Sequence, residues 1–375
     1  MKIAMIGHKR IPSREGGIEI VVGELSKRMA ALGHNVTAYN RKSRHIAGDN
    51  FDTAQGKTDY CGAALKWVYT PDSSKLNAIV YSTLATLSAA TKPFDVIHYH
   101  AEGPCALIPL AKLFGKRCVA TIHGLDWQRS KWGGFATAFL KFGEKCAAKY
   151  ADEVIVLSEN VRNYFKETYN RETVFIPNGI ERPETAEPEI IRDKYALEKD
   201  GYILFLGRLV PEKGIHYLIN AYKKSKIDIP LVIAGGASHT AEYEVSLREA
   251  ADKSDNIIFT GFVQGKELQE LYSNAYLYVL PSDVEGMPIS LLEAMSYGNA
   301  CLTSDIPECT EVCGEAAAYF EKSNEESLEK ALVELTKSRE KTEQLKSSAA
   351  EYVLKRYSWD EVVEKTLALY RGNNN

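Results

Sequence analysis

Apolar and polar residues follow a strand–helix–strand order along almost the whole chain. Short runs of β-branched and aromatic residues recur, and amphipathic stretches such as 23–32 and 135–150 separate several of them. This alternation is typical of a parallel sheet with helices on both faces. Strands are predicted at 2–7, 35–41, 64–70, 95–100, 118–124, 153–158 and 173–179, and then at 202–209, 230–236, 256–263, 275–282, 299–305 and 316–320.

Residues 181–201 separate the two series of strands. They are acidic, contain two prolines and show no strand pattern, so we interpret them as a linker. A chain of 375 residues exceeds one ordinary core and suits two domains. We therefore predict an α/β fold of two doubly wound, Rossmann-like domains, 1–185 and 186–358. The carboxyl ends of their strands should face a central cleft, where ligands bind in such folds.

Composition excludes several classes of protein. Apolar residues make up 45% of the chain, and no uncharged apolar run is long enough to predict a membrane span. The opening residues MKIAMIGHKR have too short an apolar core for a secretory signal. Seven cysteines are scattered without a C-x-x-C pair, which argues against a disulfide framework or a zinc site. A reduced, cytoplasmic protein is therefore the default expectation.

Charge divides unevenly along the chain. Residues 1–180 carry 24 Lys and Arg against 16 Asp and Glu, whereas the remainder carries 22 against 34. This asymmetry is either drift in solvated surface charge or the mark of a basic half that meets an anionic partner such as lipid or a phosphorylated substrate. A pI of about 6.1 and the lack of a recognition motif argue against nucleic acid.

Two loops that follow predicted strands suit anions. The loop 9–17 ends in Gly16 and Gly17, which would offer free backbone amides if they open the first helix. In the loop GRLVPEKG at 207–214, Arg208 and Lys213 would suit a diphosphate. The alternatives are an ordinary connection and a pair of solvated cations. A G-x-G-x-x-G motif is missing, which argues against a nicotinamide or flavin dinucleotide.

The segment 281–305 carries two glutamates eight residues apart. Pro288 favours a helix start, so Glu285 should lie in a loop before a helix and Glu293 about a turn and a half inside it. A carboxylate beside backbone amides suits a polyhydroxylated, anionic ligand. The alternative is that both glutamates are surface residues near a helix end. The backbone expected to assist Glu285 belongs to Gly286, Met287, Pro288 and Ile289, of which Pro288 has no amide hydrogen.

The pattern E-G-x-P-x-x-x-x-E with an upstream G-R-L-x-x-x-K-G resembles the retaining glycosyltransferases of family 4, which have the GT-B fold. The resemblance extends over nearly the whole chain, through the early Gly-Gly pair, TIHG at 121–124, IPNGI at 176–180 and the final helix at 358–371. It implies that this helix, as residues 359–372, completes the N-terminal, acceptor-side domain. Residues 7–25 further resemble a subgroup of bacterial polysaccharide enzymes that includes rhamnosyltransferases.

The resemblance also implies roles for individual residues. Arg208 and Lys213 match the pair that binds the donor diphosphate and stabilises the leaving group. Glu285 matches the glutamate that contacts the donor sugar, and Glu293 the one that accepts the ribose hydroxyls. The remaining matches lie around the donor: Gly16 and Gly17 at the diphosphate, His123 near the sugar, Phe262 and Val263 beside the base, and Asn178 in the IPNG turn.

Each histidine has a structural and a functional interpretation, because a lone histidine at a strand end is more often structural than catalytic. For His123 the resemblance favours a catalytic role. His98 and His100 are two residues apart and should share one strand face, but no third metal ligand is evident beside them. We interpret His100, with Glu102, as an acceptor-side candidate and His98 as structural.

No metal or cofactor is expected. The chain lacks the D-x-D pattern that holds a divalent metal on a nucleotide sugar, so Arg208 and Lys213 would replace the metal's charge. The resemblance implies that the leaving diphosphate takes the acceptor's proton as the acceptor attacks from the same face, without the carboxylate nucleophile of retaining glycosidases. Closure of the domains would bring Gly17 to the diphosphate and exclude water.

The acceptor is expected to be a lipid-linked saccharide in bacterial surface polysaccharide synthesis, and the donor a UDP- or dTDP-hexose or deoxyhexose such as glucose or rhamnose. A basic, aromatic stretch at 126–150 would suit a peripheral position at the inner face of the cell membrane, although a core helix with lysines that reach water is the alternative. Its aromatic residues are Trp127, Trp132, Phe135, Phe139 and Phe142, and its cations are Arg129, Lys131, Lys141, Lys145 and Lys149.

Two other functions stay open from the sequence. A GT-B-fold sugar-nucleotide epimerase would convert the donor without an acceptor. A non-catalytic nucleotide-sugar-binding subunit would support another transferase, although the presence of both cations and both glutamates argues against it. Fold alone does not decide between these functions.

Overall fold

A computed structural model describes residues 1–42, 56–73, 76–128, 133–236, 241–251, 254 and 256–372. The chain forms two compact units. The N-terminal unit comprises Met1–Gly179 and Trp359–Asn375, and the C-terminal unit comprises Ile180–Ser358. The units therefore divide six residues before the boundary that we placed from the sequence, and the last helix packs in the N-terminal unit.

A sheet of eight strands within the described residues forms the centre of the N-terminal unit, in the order β3-β4-β2-β1-β5-β6-β7-β8. All neighbouring strands are parallel except β3 and β4. The inner strands are buried on both faces, which explains their continuous apolar runs. The strands are β1 Lys2–Ile6, β2 Asn35–Lys42, β3 Asp59–Tyr60, β4 Ala63–Tyr69, β5 Val96–His100, β6 Arg117–Ile122, β7 Glu153–Val156 and β8 Val174–Phe175.

Helices pack on this sheet, and capping residues define both ends of one of them, α6 at Glu159–Tyr169. Ser158 caps α6 by accepting a hydrogen bond from the amide of Val161 at 3.3 Å, and Asn170 ends the helix in the left-handed conformation. One large core packs α2, α4, α5 and α6 on the sheet, while α1 and α15 contact each other. The helices are α1 Gly17–Ala31, α2 Asn77–Ala90, α3 Glu102–Cys105, α4 Ile108–Leu113, α5 Gly134–Tyr150, α6 Glu159–Tyr169 and, at the end of the chain, α15 Trp359–Arg371.

The C-terminal unit has a parallel sheet of six strands among its described residues, in the order β11-β10-β9-β12-β13-β14. The strands are β9 Ile203–Leu206, β10 Leu231–Ala234, β11 Ile257–Gly261, β12 Leu277–Leu280, β13 Ala300–Ser304 and β14 Ala318–Phe320. The helices are α7 Ile190–Tyr195, α8 Ile215–Ser225, α9 Ala241–Ala250, α10 Gly265–Ser273, α11 Ile289–Ser296, α12 Pro307–Cys313, α13 Glu325–Lys337 and α14 Arg339–Arg356.

The predicted fold class, two doubly wound α/β units, is confirmed, and each predicted strand is present. Our interpretation of 181–201 as a linker is wrong in part, because α7 lies within it and packs on α10. The buried carboxylate of Glu270 accepts the amide hydrogens of Glu189 and Ile191 at 3.0 and 3.1 Å. These contacts make the stretch part of the C-terminal unit.

Candidate active site

The loop after β9 places two cations at the carboxyl edge of the C-terminal sheet. It carries Arg208 and then a 3₁₀ turn over Pro211–Lys213. Gly214 ends this turn at φ +66°, and a Cβ there would stand 1.9 Å from the carbonyl oxygen of Pro281. Only glycine allows that approach, which holds the cationic loop against the segment that follows β12.

Lys213 and Glu285 form an ion pair at this edge. The Lys213 Nζ lies 2.5 Å from the Glu285 Oε1, and the Ser282 hydroxyl donates to the same oxygen at 2.6 Å. The two charged side chains are only 13% and 10% exposed. A ligand that binds Lys213 must compete with Glu285, and a ligand that binds Glu285 must compete with Lys213. Ligand binding at these two predicted site residues is therefore coupled.

Glu285 and Glu293 stand where the sequence predicts them. Glu285 lies in the loop before α11, which begins at Ile289, and Glu293 lies inside that helix. The Glu293 Oε2 accepts a hydrogen bond from the Tyr272 hydroxyl at 3.1 Å. The Tyr272 ring stacks on that of Tyr297 at 5.2 Å between centroids, which fixes the tyrosine that orients Glu293. Four residues that follow Glu285, namely Gly286, Met287, Pro288 and Ile289, are buried.

Phe262 and Val263 follow β11 and lie at the same carboxyl edge as Arg208. A Cβ on Gly236, after β10, would stand 3.8 Å from the Phe262 Cβ, so the loops after these neighbouring strands are close. The C-terminal unit thus gathers the predicted cations, glutamates and base-side residues at one edge of its sheet, where doubly wound folds bind ligands.

In the N-terminal unit the Gly-Gly pair opens a helix, as expected. Gly16 is the residue that precedes α1, and α1 begins at Gly17. Sequence reasoning missed Glu19, whose buried carboxylate accepts the Lys9 amide hydrogen at 2.8 Å. A Cβ on Gly16 would stand 2.6 Å from the Glu19 Oε2. Burial opposes ionisation, but the nearby Lys9 ammonium and amide lower the pKa of Glu19, so a negative charge already stands beside this helix start.

His123 follows β6, and His100 ends the neighbouring strand β5. The His100 Nδ1 lies 3.0 Å from the His123 Nε2. His100 and Glu102 are fully buried, so a saccharide would reach neither side chain without a rearrangement of the fold. Asn178 is also buried. The acceptor-side role of His100 and Glu102 stays a prediction, whereas the contact of His100 with His123 is direct.

Part of the aromatic, basic stretch at 126–150 packs around one buried carboxylate. The Glu144 carboxylate on α5 is buried and accepts hydrogen bonds from the Trp127 indole at 3.1 Å and from the Tyr164 and Tyr169 hydroxyls at 2.8 and 2.5 Å. The Lys141 ammonium lies 4.1 Å from the Trp127 ring centroid. Sequence reasoning missed Glu144, because its three donors come from two other segments. Three predicted members, Arg129, Lys131 and Trp132, lie outside the described residues.

No group of three or more His, Cys, Asp or Glu side chains in the described part of the chain is arranged to hold a metal ion. No described helix is both long and apolar enough to cross a membrane.

Comparison with known proteins gives matches along nearly the whole chain. Residues 15–182 match the family model described as glycosyltransferase family 4, and residues 187–352 match the one described as glycosyl transferases group 1. A GDP-mannose-dependent alpha-(1-6)-phosphatidylinositol monomannoside mannosyltransferase of Mycobacterium tuberculosis is 25% identical over 387 aligned positions, which cover 97% of this chain and 96% of that protein.

Solved structures share the fold. Sucrose-phosphate synthase of Thermosynechococcus elongatus has a TM-score of 0.84 at 22% identity, over 99% of this chain and 98% of that one. HepE of Anabaena, solved with UDP and glucose, has a TM-score of 0.81 at 15% identity over 99% of each chain.

Proposed function

We propose that this chain, which belongs to the family 4 glycosyltransferases and has their GT-B fold, transfers a hexose or deoxyhexose from a nucleoside diphosphate sugar to a lipid-linked saccharide. The observation that carries the proposal is the Lys213–Glu285 ion pair with Ser282. A diphosphate would attract the ammonium, and a sugar hydroxyl would donate to the carboxylate, so one donor molecule would engage both partners.

The proposed reaction retains the anomeric configuration. The bond from the anomeric carbon to the phosphate oxygen breaks, and a bond to the acceptor oxygen forms on the same face. The acceptor's proton passes to the leaving diphosphate. Arg208 and Lys213 stabilise the charge on that leaving group, so no metal is needed. Glu285 and Glu293 position the donor by accepting its sugar and ribose hydroxyls.

The first property to test is which nucleoside diphosphate the chain binds. The mannosyltransferase relative is named for GDP-mannose and HepE was solved with UDP, so GDP and UDP stand beside dTDP as candidates. One of these diphosphates at about 100 times its dissociation constant should add roughly 2.7 kcal/mol to the free energy of unfolding. A thermal-shift panel with UDP, dTDP, GDP and ADP, each with and without EDTA, measures this.

Stabilisation by one diphosphate regardless of EDTA would support a metal-free donor site, and loss of the shift in EDTA would contradict it. Transfer is then assayed with the matching sugar nucleotides and polyprenyl-linked saccharides. Conversion of donor alone into an isomer would favour an epimerase, and binding without any turnover would favour a binding subunit.

A lipid-linked acceptor fits the surface of the N-terminal unit. The helices α2, α4 and α5 lie side by side, and each exposes large apolar side chains. Phe135 is 75% exposed, Phe142 53% and Leu113 83%. Lys141, Lys145 and Lys149 are exposed on the same helix as the two phenylalanines. This combination suits the surface of an anionic bilayer, to which aromatic rings and cations bind together.

We expect Phe142→Ser to weaken binding to vesicles that contain phosphatidylglycerol, by about three- to tenfold, because a large exposed ring leaves the contact surface. Sedimentation with vesicles measures the bound fraction. Val245→Ser, at an equally exposed apolar residue on α9, is the matched control and should bind as the wild type does. Equal binding of wild type to neutral and anionic vesicles would contradict the role of the lysines.

A further inference from the structure

Arg41 is a half-buried cation at the carboxyl edge of the N-terminal sheet. It lies near the end of β2 and pairs in register with Val68 of β4. On its other side, the Arg41 amide donates to the Lys9 carbonyl oxygen at 2.7 Å, in the loop that follows β1. The strand order reverses at β1, which has β2 on one side and β5 on the other. Doubly wound sheets bind ligands at the carboxyl edge beside such a reversal.

The guanidinium of Arg41 has fewer acceptors than donors. Its Nη1 donates to the Asn77 Oδ1 at 3.2 Å, and its Nη2 reaches the Gly7 carbonyl oxygen at 3.5 Å, which is the outer limit of a hydrogen bond. The Arg41 Nε is buried and has no acceptor among the described residues. A guanidinium has five N–H groups, so most of those on Arg41 are uncommitted within the described part of the chain.

No carboxylate among the described residues forms an ion pair with this cation. The Arg41 Cζ lies 4.9 Å from the centroid of the Tyr81 ring, which is fully buried and holds the guanidinium in place. The Glu19 carboxylate attracts Arg41 from a greater distance, and its Oε1 already accepts the Lys9 amide hydrogen at 2.8 Å. Burial lowers the pKa of Arg41, because the charged form loses water. An anion beside the guanidinium would offset that cost.

We propose that Arg41 binds an oxyanion of the acceptor, a carboxylate or phosphate group on the lipid-linked saccharide. A planar guanidinium suits either group, because it donates two parallel N–H bonds to two oxygens. Such a ligand gives up little, since the contact that it displaces at the Gly7 carbonyl is long. The inference rests on the proposed function, because it names the acceptor as the source of the oxyanion. The anion site itself belongs to the N-terminal unit alone.

Anion binding is measured from the side-chain Nε–H signals of the full chain with ¹⁵N-labelled arginine. The signal that is lost in Arg41→Lys belongs to Arg41. We expect inorganic phosphate or sodium glucuronate to shift this signal saturably, and uncharged glucose to leave it unchanged. A larger shift with glucuronate would make an acidic sugar the source of the oxyanion, and a larger shift with phosphate would make it the phosphate of the lipid carrier.

Arg117 is the matched control in the same unit, because its Nε and Nη2 both donate to the Leu369 carbonyl oxygen, at 3.2 and 2.7 Å. Its Nε–H signal should not move with either anion. If neither anion shifts the Arg41 signal saturably, the proposal is overturned. This titration uses the wild-type chain and needs no turnover.

Activity provides the second test. We expect Arg41→Gln to raise the KM for an acceptor that carries the oxyanion by about 10- to 100-fold, the loss typical of a hydrogen bond to a charged group. The KM for the nucleotide sugar should stay within about threefold of the wild type. Arg41→Lys keeps the charge and should raise the acceptor KM less. Equal rises in both KM values, with circular dichroism unchanged, would overturn the proposal. If the wild type turns over no nucleotide sugar, the proposed function fails while the titration still tests the anion site.

Discussion

Replacement of Glu285 by alanine is expected to lower kcat for sugar transfer by about 100- to 1000-fold, the loss typical of removing one group that binds the transition state. Nucleoside diphosphate binding should be unchanged or tighter, because Lys213 no longer pairs with a carboxylate 2.5 Å away. This separation of turnover from binding is the signature of a residue that contacts the sugar and not the diphosphate. Steady-state kinetics and calorimetric titration of the nucleotide measure the two effects.

A matched control lies two residues away. Asp283 also carries a loop carboxylate, but it accepts from the Ser323 and Tyr217 hydroxyls at 2.6 and 3.3 Å and does not touch Lys213. Asp283→Ala should keep kcat within about threefold of wild type, because it removes hydrogen bonds to two hydroxyls and leaves the Lys213–Glu285 pair in place. Because removal of one partner from a nearly buried ion pair destabilises the fold, both variants need melting temperatures above the assay temperature. A Glu285→Ala enzyme that keeps a tenth of its kcat would contradict the assigned role.

Much of the fold is predictable from the sequence because the inner parallel strands are buried on both faces. Their apolar runs are then continuous, and residues such as 95–100 stand out against the amphipathic helices. The strand β3 was missed because it has two residues and pairs only at the sheet edge. The helix α7 was missed because six residues in an acidic stretch carry too little periodicity to stand out.

The sequence picks out the residues of the candidate site, but it does not show which of them contact each other. Lys213 and Glu285 are 72 positions apart, and they meet because β9 and β12 are neighbours in the sheet, which a single sequence does not reveal. The contact of His100 with His123 likewise depends on the pairing of β5 with β6. Glu19 escaped notice because a glutamate in the first turn of a helix is usually a favourable surface charge.

Replacement of Lys213 by methionine is expected to weaken nucleoside diphosphate binding by about 10- to 100-fold, since a hydrogen bond to a charged group contributes roughly 1.5–3 kcal/mol. The loss has a second source. The Glu285 carboxylate stays behind, only 10% exposed, and repels the phosphate oxygens that approach it. The kcat should fall as well, because in the proposed reaction the ammonium stabilises the charge that builds on the leaving group. Arg208→Ala should also weaken nucleoside diphosphate binding.

The double variant Lys213→Met with Glu285→Gln separates the two sources. It removes the repulsion without restoring the cation, so the nucleotide should bind more tightly than it does to Lys213→Met alone, while kcat stays low. Non-additivity of this kind is expected for residues in direct contact. Lys194→Met, at a half-exposed lysine paired with Glu267 in the same unit, is the control and should bind as the wild type does. Wild-type nucleotide affinity in Lys213→Met would show that this loop does not hold the diphosphate.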